Sequence, residues 1–158
     1  MQKFQQNPMK IENKVKSLDF VSWKFVGQDN RHLEDLVKIF PYVEEFRMTN
    51  CTDSILRPDF HSNTFSKFLK YLRKISQWKN LKHISLKDTF FVESNYYRNN
   101  FDRDIRQVLD FVNNTFSIET KIEITFGKEW TTWGPDKSFM IAIVKEEGFE
   151  ATLSPITT

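Results

Sequence analysis

Residues 43–51 (VEEFRMTNC) decide the fold that we predict, because their apolar side chains alternate with polar ones. Alternation with a period of two is typical of a strand that buries one of its two faces. The same spacing occurs upstream in residues 15–20 (VKSLDF) and downstream in residues 81–86 (LKHISL). A strand that recurs in this form predicts a sheet built from equivalent units.

Segments with helical periodicity separate these strands. The first predicted helix follows Asp29 and Asn30, two suitable N-cap residues, and Pro41 stops it. The second helix lies after a predicted loop at residues 50–62, and its apolar side chains are three or four positions apart; these are Phe65, Phe68, Leu69, Leu72 and Ile75. The third helix begins at Asp102, after a predicted loop at residues 91–100.

Two more strands complete the predicted chain. Residues 122–126 form the fourth strand, and residues 139–144 form a fifth with a nearly continuous apolar run. The predicted order is therefore βαβαβαββ, an α/β fold. Crossovers through helices favour parallel pairing of the first four strands, and the fifth is close enough to pair antiparallel with the fourth. We expect a polar lead-in at residues 1–14, one domain at 15–150 and a C-terminal tail at 151–158.

The strand entries share one pattern of apolar positions. Its central positions are Leu18, Phe46 and Ile84, and Ile122 continues the series in the fourth strand. The spacings are 28, 38 and 38 residues, so the units are irregular. The pattern resembles that of leucine-rich repeats, L-x-x-L-x-L-x-x-N/C/T, whose last position caps the strand end by hydrogen bonding. The resemblance implies an arc of βα units with all helices on one face of a mostly parallel sheet.

Two longer stretches extend this resemblance. Residues 36–46 (LVKIFPYVEEF) and 68–86 (FLKYLRKISQWKNLKHISL) each contain a helix, a turn and a short strand. They are similar to the substrate-binding regions that follow the F-box in F-box proteins, especially the divergent nematode type, over roughly residues 15–92. Residues 1–14 are too short to supply an F-box. The resemblance implies protein recognition and no catalysis. If the chain is a piece of an F-box protein, the resemblance implies that it selects substrates for a ubiquitin ligase.

Charge and cysteine content bear on the partners and the compartment. The net charge is +2, from 23 basic and 21 acidic residues, so no overall field favours nucleic acid or membrane. The charges are unevenly distributed: basic residues outnumber acidic ones in residues 51–100, and acidic residues outnumber basic ones in residues 101–158. A single cysteine, Cys51, and the lack of any apolar run of signal-peptide or membrane-span length lead us to expect an intracellular protein, cytoplasmic or nuclear.

Motifs for catalysis or cofactor binding are absent from the sequence. The four glycines are too scattered for a phosphate-binding loop, and no G-x-S-x-G occurs. We therefore expect a domain that is not an enzyme and that holds no cofactor or metal. The nearest approach to a metal site or a thiol nucleophile lies after the second strand, at Cys51, Asp53, Asp59 and His61, but its spacing matches no ligand pattern.

The main rival hypothesis is an enzyme or ligand-binding domain on a doubly wound sheet. Such a fold carries helices on both faces and binds its ligand beyond the carboxyl ends of the strands. In this chain that site would lie near Cys51, Asp53, Thr89 and Phe126.

Two groups of side chains are candidate partner-binding residues. Lys67, Lys70, Arg73 and Lys74 lie opposite the apolar face of the second helix, and with an exposed aromatic such as Tyr71 they would suit nucleic acid. A solvated outer helix face explains the same four charges, and we favour it. The second group consists of aromatic residues in predicted loops: Tyr96, Tyr97, Trp130 and Trp133. They would serve either as interface anchors or as a cover for the open end of the sheet.

Overall fold

The computed structural model describes residues 14–25, 31–53, 64–92, 94–128, 130–131, 134–135 and 139–155. Within these residues the helices are α1 (Arg31–Ile39), α2 (Thr64–Ile75) and α3 (Ser94–Thr115). The main sheet contains β1 (Ser17–Val21), β3 (Glu45–Thr49), β5 (His83–Val92), β6 (Lys121–Lys128), β9 (Phe139–Lys145) and β10 (Thr152–Pro155). Two short pairs flank it: β2 (Lys24–Phe25) with β4 (Thr52–Asp53), and β7 (Trp130–Thr131) with β8 (Gly134–Pro135).

The order of strands in the main sheet is β1-β3-β5-β6-β9-β10. Strands β1, β3, β5 and β6 pair in parallel, and β9 pairs antiparallel with β6. Both of these predictions are confirmed. The structure adds one strand that the sequence did not predict. Part of the expected tail at residues 151–158 forms β10, which pairs antiparallel with β9 from Thr152 to Pro155.

The central apolar positions of the strand pattern lie opposite one another in the sheet. Leu18 pairs with Phe46, Phe46 with Ile84, and Ile84 with Ile122. A second row two residues further on runs through Phe20, Met48, Leu86 and Ile124. Both rows point to the same face, because side chains two apart on a strand share a face. From β3 to β6 these side chains are buried.

The helices cover this apolar face. Their buried residues join the same core as the two strand rows; they are Leu33 of α1, Phe68, Tyr71, Leu72 and Ile75 of α2, and Ile105, Val108 and Val112 of α3. In addition, α2 contacts both α1 and α3. Successive right-handed crossovers in one direction place successive helices on the same side of a parallel sheet. The described helices therefore form one layer against one face.

An aromatic cluster fills the core between α2 and the centre of the sheet. The ring centroids of Phe68 and Phe90 are 4.5 Å apart, and those of Phe90 and Phe126 are 4.9 Å apart. Nearer the other end of α2, the Trp78 indole donates a hydrogen bond of 2.7 Å to the Phe40 carbonyl, which satisfies its polar atom inside the core.

The predicted loop at residues 91–100 is wrong. Strand β5 continues to Val92 past an irregularity in its pairing with β6 between Leu86 and Phe90, and α3 begins at Ser94. In residues 94–101 (SNYYRNNF) only Tyr97 and Phe101 continue the helical spacing of Ile105, and the polar residues between them are also typical of a loop, so the signal for a helix start was weak. Tyr71 is also not an exposed aromatic, because it is fully buried.

Three parallel strands have left-handed residues at equivalent positions. Ser22, Asn50 and Asp88 have φ of 58°, 54° and 55°, and each lies two residues after the second row, at Phe20, Met48 and Leu86. Ser22 and Asn50 follow the ends of β1 and β3, whereas Asp88 lies within β5 at the irregularity in its pairing with β6. Their amides are satisfied from the next strand, since Ser22 N donates to the Thr49 carbonyl at 2.9 Å and Asn50 N to the Lys87 carbonyl at 3.0 Å. The parallel units are thus equivalent in backbone conformation as well as in side-chain pattern.

We expect Phe126→Ala to lower the free energy of unfolding by about 3 to 5 kcal/mol, because it leaves a cavity in the aromatic cluster. Urea denaturation followed by circular dichroism measures the change. Phe149→Ala is the matched control, because Phe149 is 69% exposed and its loss should change stability by less than about 0.5 kcal/mol. Equal effects of the two substitutions would contradict the assignment of Phe126 to the core.

Candidate interface on the open face of the sheet

The sheet has a second face, which no helix covers within the described part of the chain. Residues between the core positions of each strand point to it. We call it the open face, and its residues are Ser17, Asp19, Val21, Glu45, Arg47, Thr49, His83, Ser85, Lys87, Lys121, Glu123, Thr125, Ala142 and Val144. All of them are exposed or half-buried except the small Ser85 and Ala142.

Charged side chains on the open face form contacts along and across strands. The Arg47 guanidinium lies 2.9 Å from a carboxylate oxygen of Glu45 and donates a hydrogen bond of 3.0 Å to His83 Nδ1. Lys87 of β5 makes an ion pair of 2.8 Å with Glu123 of β6. Opposite charges on neighbouring strands stabilise a sheet modestly and fix the positions of long side chains. The open face therefore presents positive and negative groups in an ordered array.

His83 lies near the middle of this array, between cations on both neighbouring strands. Partial burial lowers the pKa of His83 below 6.5, and the positive charges of Arg47 and Lys121 lower it further. Glu45 and Glu123 act in the opposite direction. The hydrogen bond from Arg47 also requires an unprotonated Nδ1, so this geometry favours the neutral imidazole.

Cys51 and Thr89 occupy the last position of the repeat pattern, and both donate hydrogen bonds to backbone carbonyls. The Cys51 thiol donates to the Phe20 carbonyl at 3.2 Å, and the Thr89 hydroxyl donates to the Lys87 carbonyl at 2.9 Å. Burial raises the pKa of Cys51, which disfavours the thiolate that a nucleophile would need. These contacts explain both residues without chemistry.

The geometry at the strand ends does not match the rival hypothesis. The parallel strands follow chain order without reversal, so the described sheet lacks the switch point at which doubly wound folds bind ligands. Among the described residues, no group of three His, Cys, Asp or Glu side chains could hold a metal ion. Asp59 and His61 lie outside the described residues.

The basic residues of α2 lie on the helical layer, on the side of the sheet away from the open face. Lys74 forms an ion pair with Glu34 of α1, and the Arg73 guanidinium lies over the Phe111 ring at 5.6 Å from its centroid. Lys70 is exposed and Lys67 is half-buried. Lys74 and Arg73 thus contact the neighbouring helices α1 and α3.

The aromatic candidates are only partly described. Tyr96 and Tyr97 belong to α3 and Trp130 to β7, where the structure describes the backbone alone. Trp133 lies outside the described residues. Phe90, which precedes the predicted loop at residues 91–100, is buried in the core and is not available as an interface anchor.

The charged residues of the open face were missed as candidates. Their signal in the sequence was the polar position between two apolar ones, as in Phe46-Arg47-Met48 and Ile122-Glu123-Ile124. Each position alone is typical of a solvated strand face. Only the register of the strands shows that Arg47 reaches His83 and that Lys87 reaches Glu123.

Comparisons of this chain with protein-family models, curated proteins and solved structures found no match. None of the described helices is both long enough and apolar enough to cross a membrane.

We expect His83 in the folded protein to titrate below 6.5. Just below that pH the unfolded chain binds more protons than the folded one, so stability is lost as the pH falls through 6.5 towards the folded pKa. The titration of the His83 imidazole protons in NMR spectra measures the folded pKa. Arg47→Gln should raise it, because a cation and a hydrogen-bond donor to the neutral ring are lost.

Lys70→Gln is the matched control for this titration, because Lys70 lies on the helical layer and its loss should leave the His83 midpoint unchanged. A midpoint at or above the usual value, or one that Arg47→Gln leaves in place, would contradict the arrangement described for the open face.

Proposed function

We propose that this chain is a protein-recognition module that binds its partner across the open face of the sheet. The observation that carries the proposal is the ordered array of exposed and half-buried charges on four parallel strands, opposite the face that the helices cover. The sheet fixes the backbone from which these side chains project, so little backbone entropy is lost when a partner binds. A surface of this type suits recognition of another folded protein.

The signs of the charges favour a protein over a nucleic acid. Arg47, Lys87 and Lys121 are balanced by acidic residues on the same face, and Arg47 and Lys87 are paired with two of them. Nucleic-acid surfaces are dominated by unbalanced positive charge that contacts phosphates. Complementary patterns of both signs instead provide specificity between proteins.

The resemblance to leucine-rich repeats and to F-box-associated regions supports a narrower form of the proposal. In that form the bound protein is a substrate chosen for a ubiquitin ligase. The in-register rows at Leu18, Phe46, Ile84 and Ile122 agree with a βα-repeat arrangement. Capture of ubiquitin-ligase adaptors together with the bound partner would support this form, and capture of the partner alone would contradict it.

Reversal of two charges on the open face tests the main proposal. We expect Arg47→Glu with Lys87→Glu to reduce capture of the partner from cell extract by about tenfold or more. The two new carboxylates would repel the acidic groups of the partner that face Arg47 and Lys87 in the wild type. Quantitative mass spectrometry of proteins captured by the wild type and by the variant measures the loss. Circular dichroism shows whether the variant is folded.

The control reverses two charges on the helical layer, with Lys67→Glu and Lys70→Glu. These substitutions should leave capture of the same partner unchanged. If this control loses the partner and the open-face variant keeps it, binding takes place through α2 and the proposal is wrong.

A further inference from the structure

An apolar pair is exposed at the end of the sheet where the parallel strands begin. Phe149 is 69% exposed and Ile118 is 48% exposed. Phe149 lies in the turn between β9 and β10, and Ile118 lies in the loop between α3 and β6. The two segments are joined directly, because Gly148 N donates a hydrogen bond of 2.8 Å to the Ile118 carbonyl.

A buried lysine holds this platform together. Lys145 is 1% exposed, and its ammonium donates to the carbonyls of Ile118 at 2.5 Å and Thr120 at 2.7 Å. Asn113 of α3 adds a second connection, because its side-chain oxygen accepts a hydrogen bond of 2.7 Å from Ala151 N. Exposed apolar side chains on a platform fixed in this way lose little freedom when they are covered.

Acidic residues flank the apolar pair along the chain. We call the whole the acidic turn patch: Ile118, Glu119, Glu146, Glu147, Phe149 and Glu150. All four glutamates are exposed. Glu146 has a distant ion pair with Lys121 at 4.0 Å, while Glu119, Glu147 and Glu150 form no ion pair with another described residue. The four carboxylates outnumber the two cations at these segments, Lys121 and the buried Lys145, so the patch is negative in a protein whose net charge is +2.

We infer that the acidic turn patch is a second docking surface, which binds a basic segment of a partner protein through an apolar anchor. Phe149 and Ile118 provide the apolar contact, and the glutamates select positive charge around it. The patch repels nucleic acid and anionic lipid. Symmetric pairing with a second copy would place the four glutamates of each chain opposite those of the other, which disfavours a dimer through this surface. The inference is independent of recognition by the open face.

Three synthetic peptides of equal length separate the apolar contribution from the charge. One contains Lys and Leu at helical spacing, one replaces Lys by Glu, and one replaces Leu by Ser. We expect only the Lys and Leu peptide to bind and to shift the amide NMR signals of Ile118, Gly148 and Phe149. Equal binding of the Glu and Leu peptide, or shifts confined to other residues, would overturn the inference.

Substitutions in the full chain test the two contributions separately. Phe149→Ser should weaken binding of the Lys and Leu peptide about tenfold, a loss typical of an anchor residue. Trp23→Ser is the matched control, because Trp23 is 57% exposed at a distant site and its loss should leave binding unchanged. Glu147→Gln with Glu150→Gln should weaken binding and reduce its dependence on salt, whereas Asp19→Asn with Asp110→Asn should not.

Sedimentation equilibrium tests whether a second copy of the chain occupies the acidic turn patch. A monomer over the concentrations used for peptide binding agrees with the inference. Self-association that Phe149→Ser abolishes would show that a second copy occupies the patch, and would overturn it.

Discussion

The rest of this structure depends on the alignment of apolar side chains across four parallel strands. The row through Leu18, Phe46, Ile84 and Ile122 lies beside a second row two residues along, and both face the helices. A slip of one residue in any strand would move its apolar side chains to the opposite face and expose them to water. The same constraint places every intervening polar residue on the side away from the helices, so the core determines where the charged array lies.

Much of this architecture could be predicted from single residues and their spacing. The two-residue period around Phe46 and Ile84 predicted strands, and the helices between the strands predicted their parallel pairing. The alignment of Phe46 and Ile84 with Leu18 and Ile122 agrees with the observed register. The start of α3 was not predicted, because its first turns are mostly polar and only Tyr97 and Phe101 continue the helical spacing. Lys145 also gave no signal, since a charged residue at the end of an apolar strand normally reaches solvent, and its burial depends on carbonyl groups more than twenty residues away in sequence.

Two surfaces of opposite character result from one sheet. On the open face, positive and negative groups neutralise each other in pairs such as Lys87 with Glu123. At the turn between β9 and β10, carboxylates accumulate around Phe149 while the nearby Lys145 ammonium is buried beneath them. Cross-strand pairing brings opposite charges together along the sheet, whereas at the turn only Glu146 has a cation, Lys121, as a described ion-pair partner. A chain with almost no net charge can thereby present surfaces for unlike partners.

The left-handed residues Ser22, Asn50 and Asp88 restrict the sequences that this fold accepts. A β-branched residue at such a position would be strained, whereas glycine, asparagine and aspartate adopt it at little cost. Each lies two positions after an apolar residue of the second row: Phe20, Met48 and Leu86. Distant relatives with few identical residues should therefore retain two alternating apolar positions and then, after one further residue, a small or amide side chain. That combination is a search pattern for the fold that depends on backbone geometry and not on overall sequence identity.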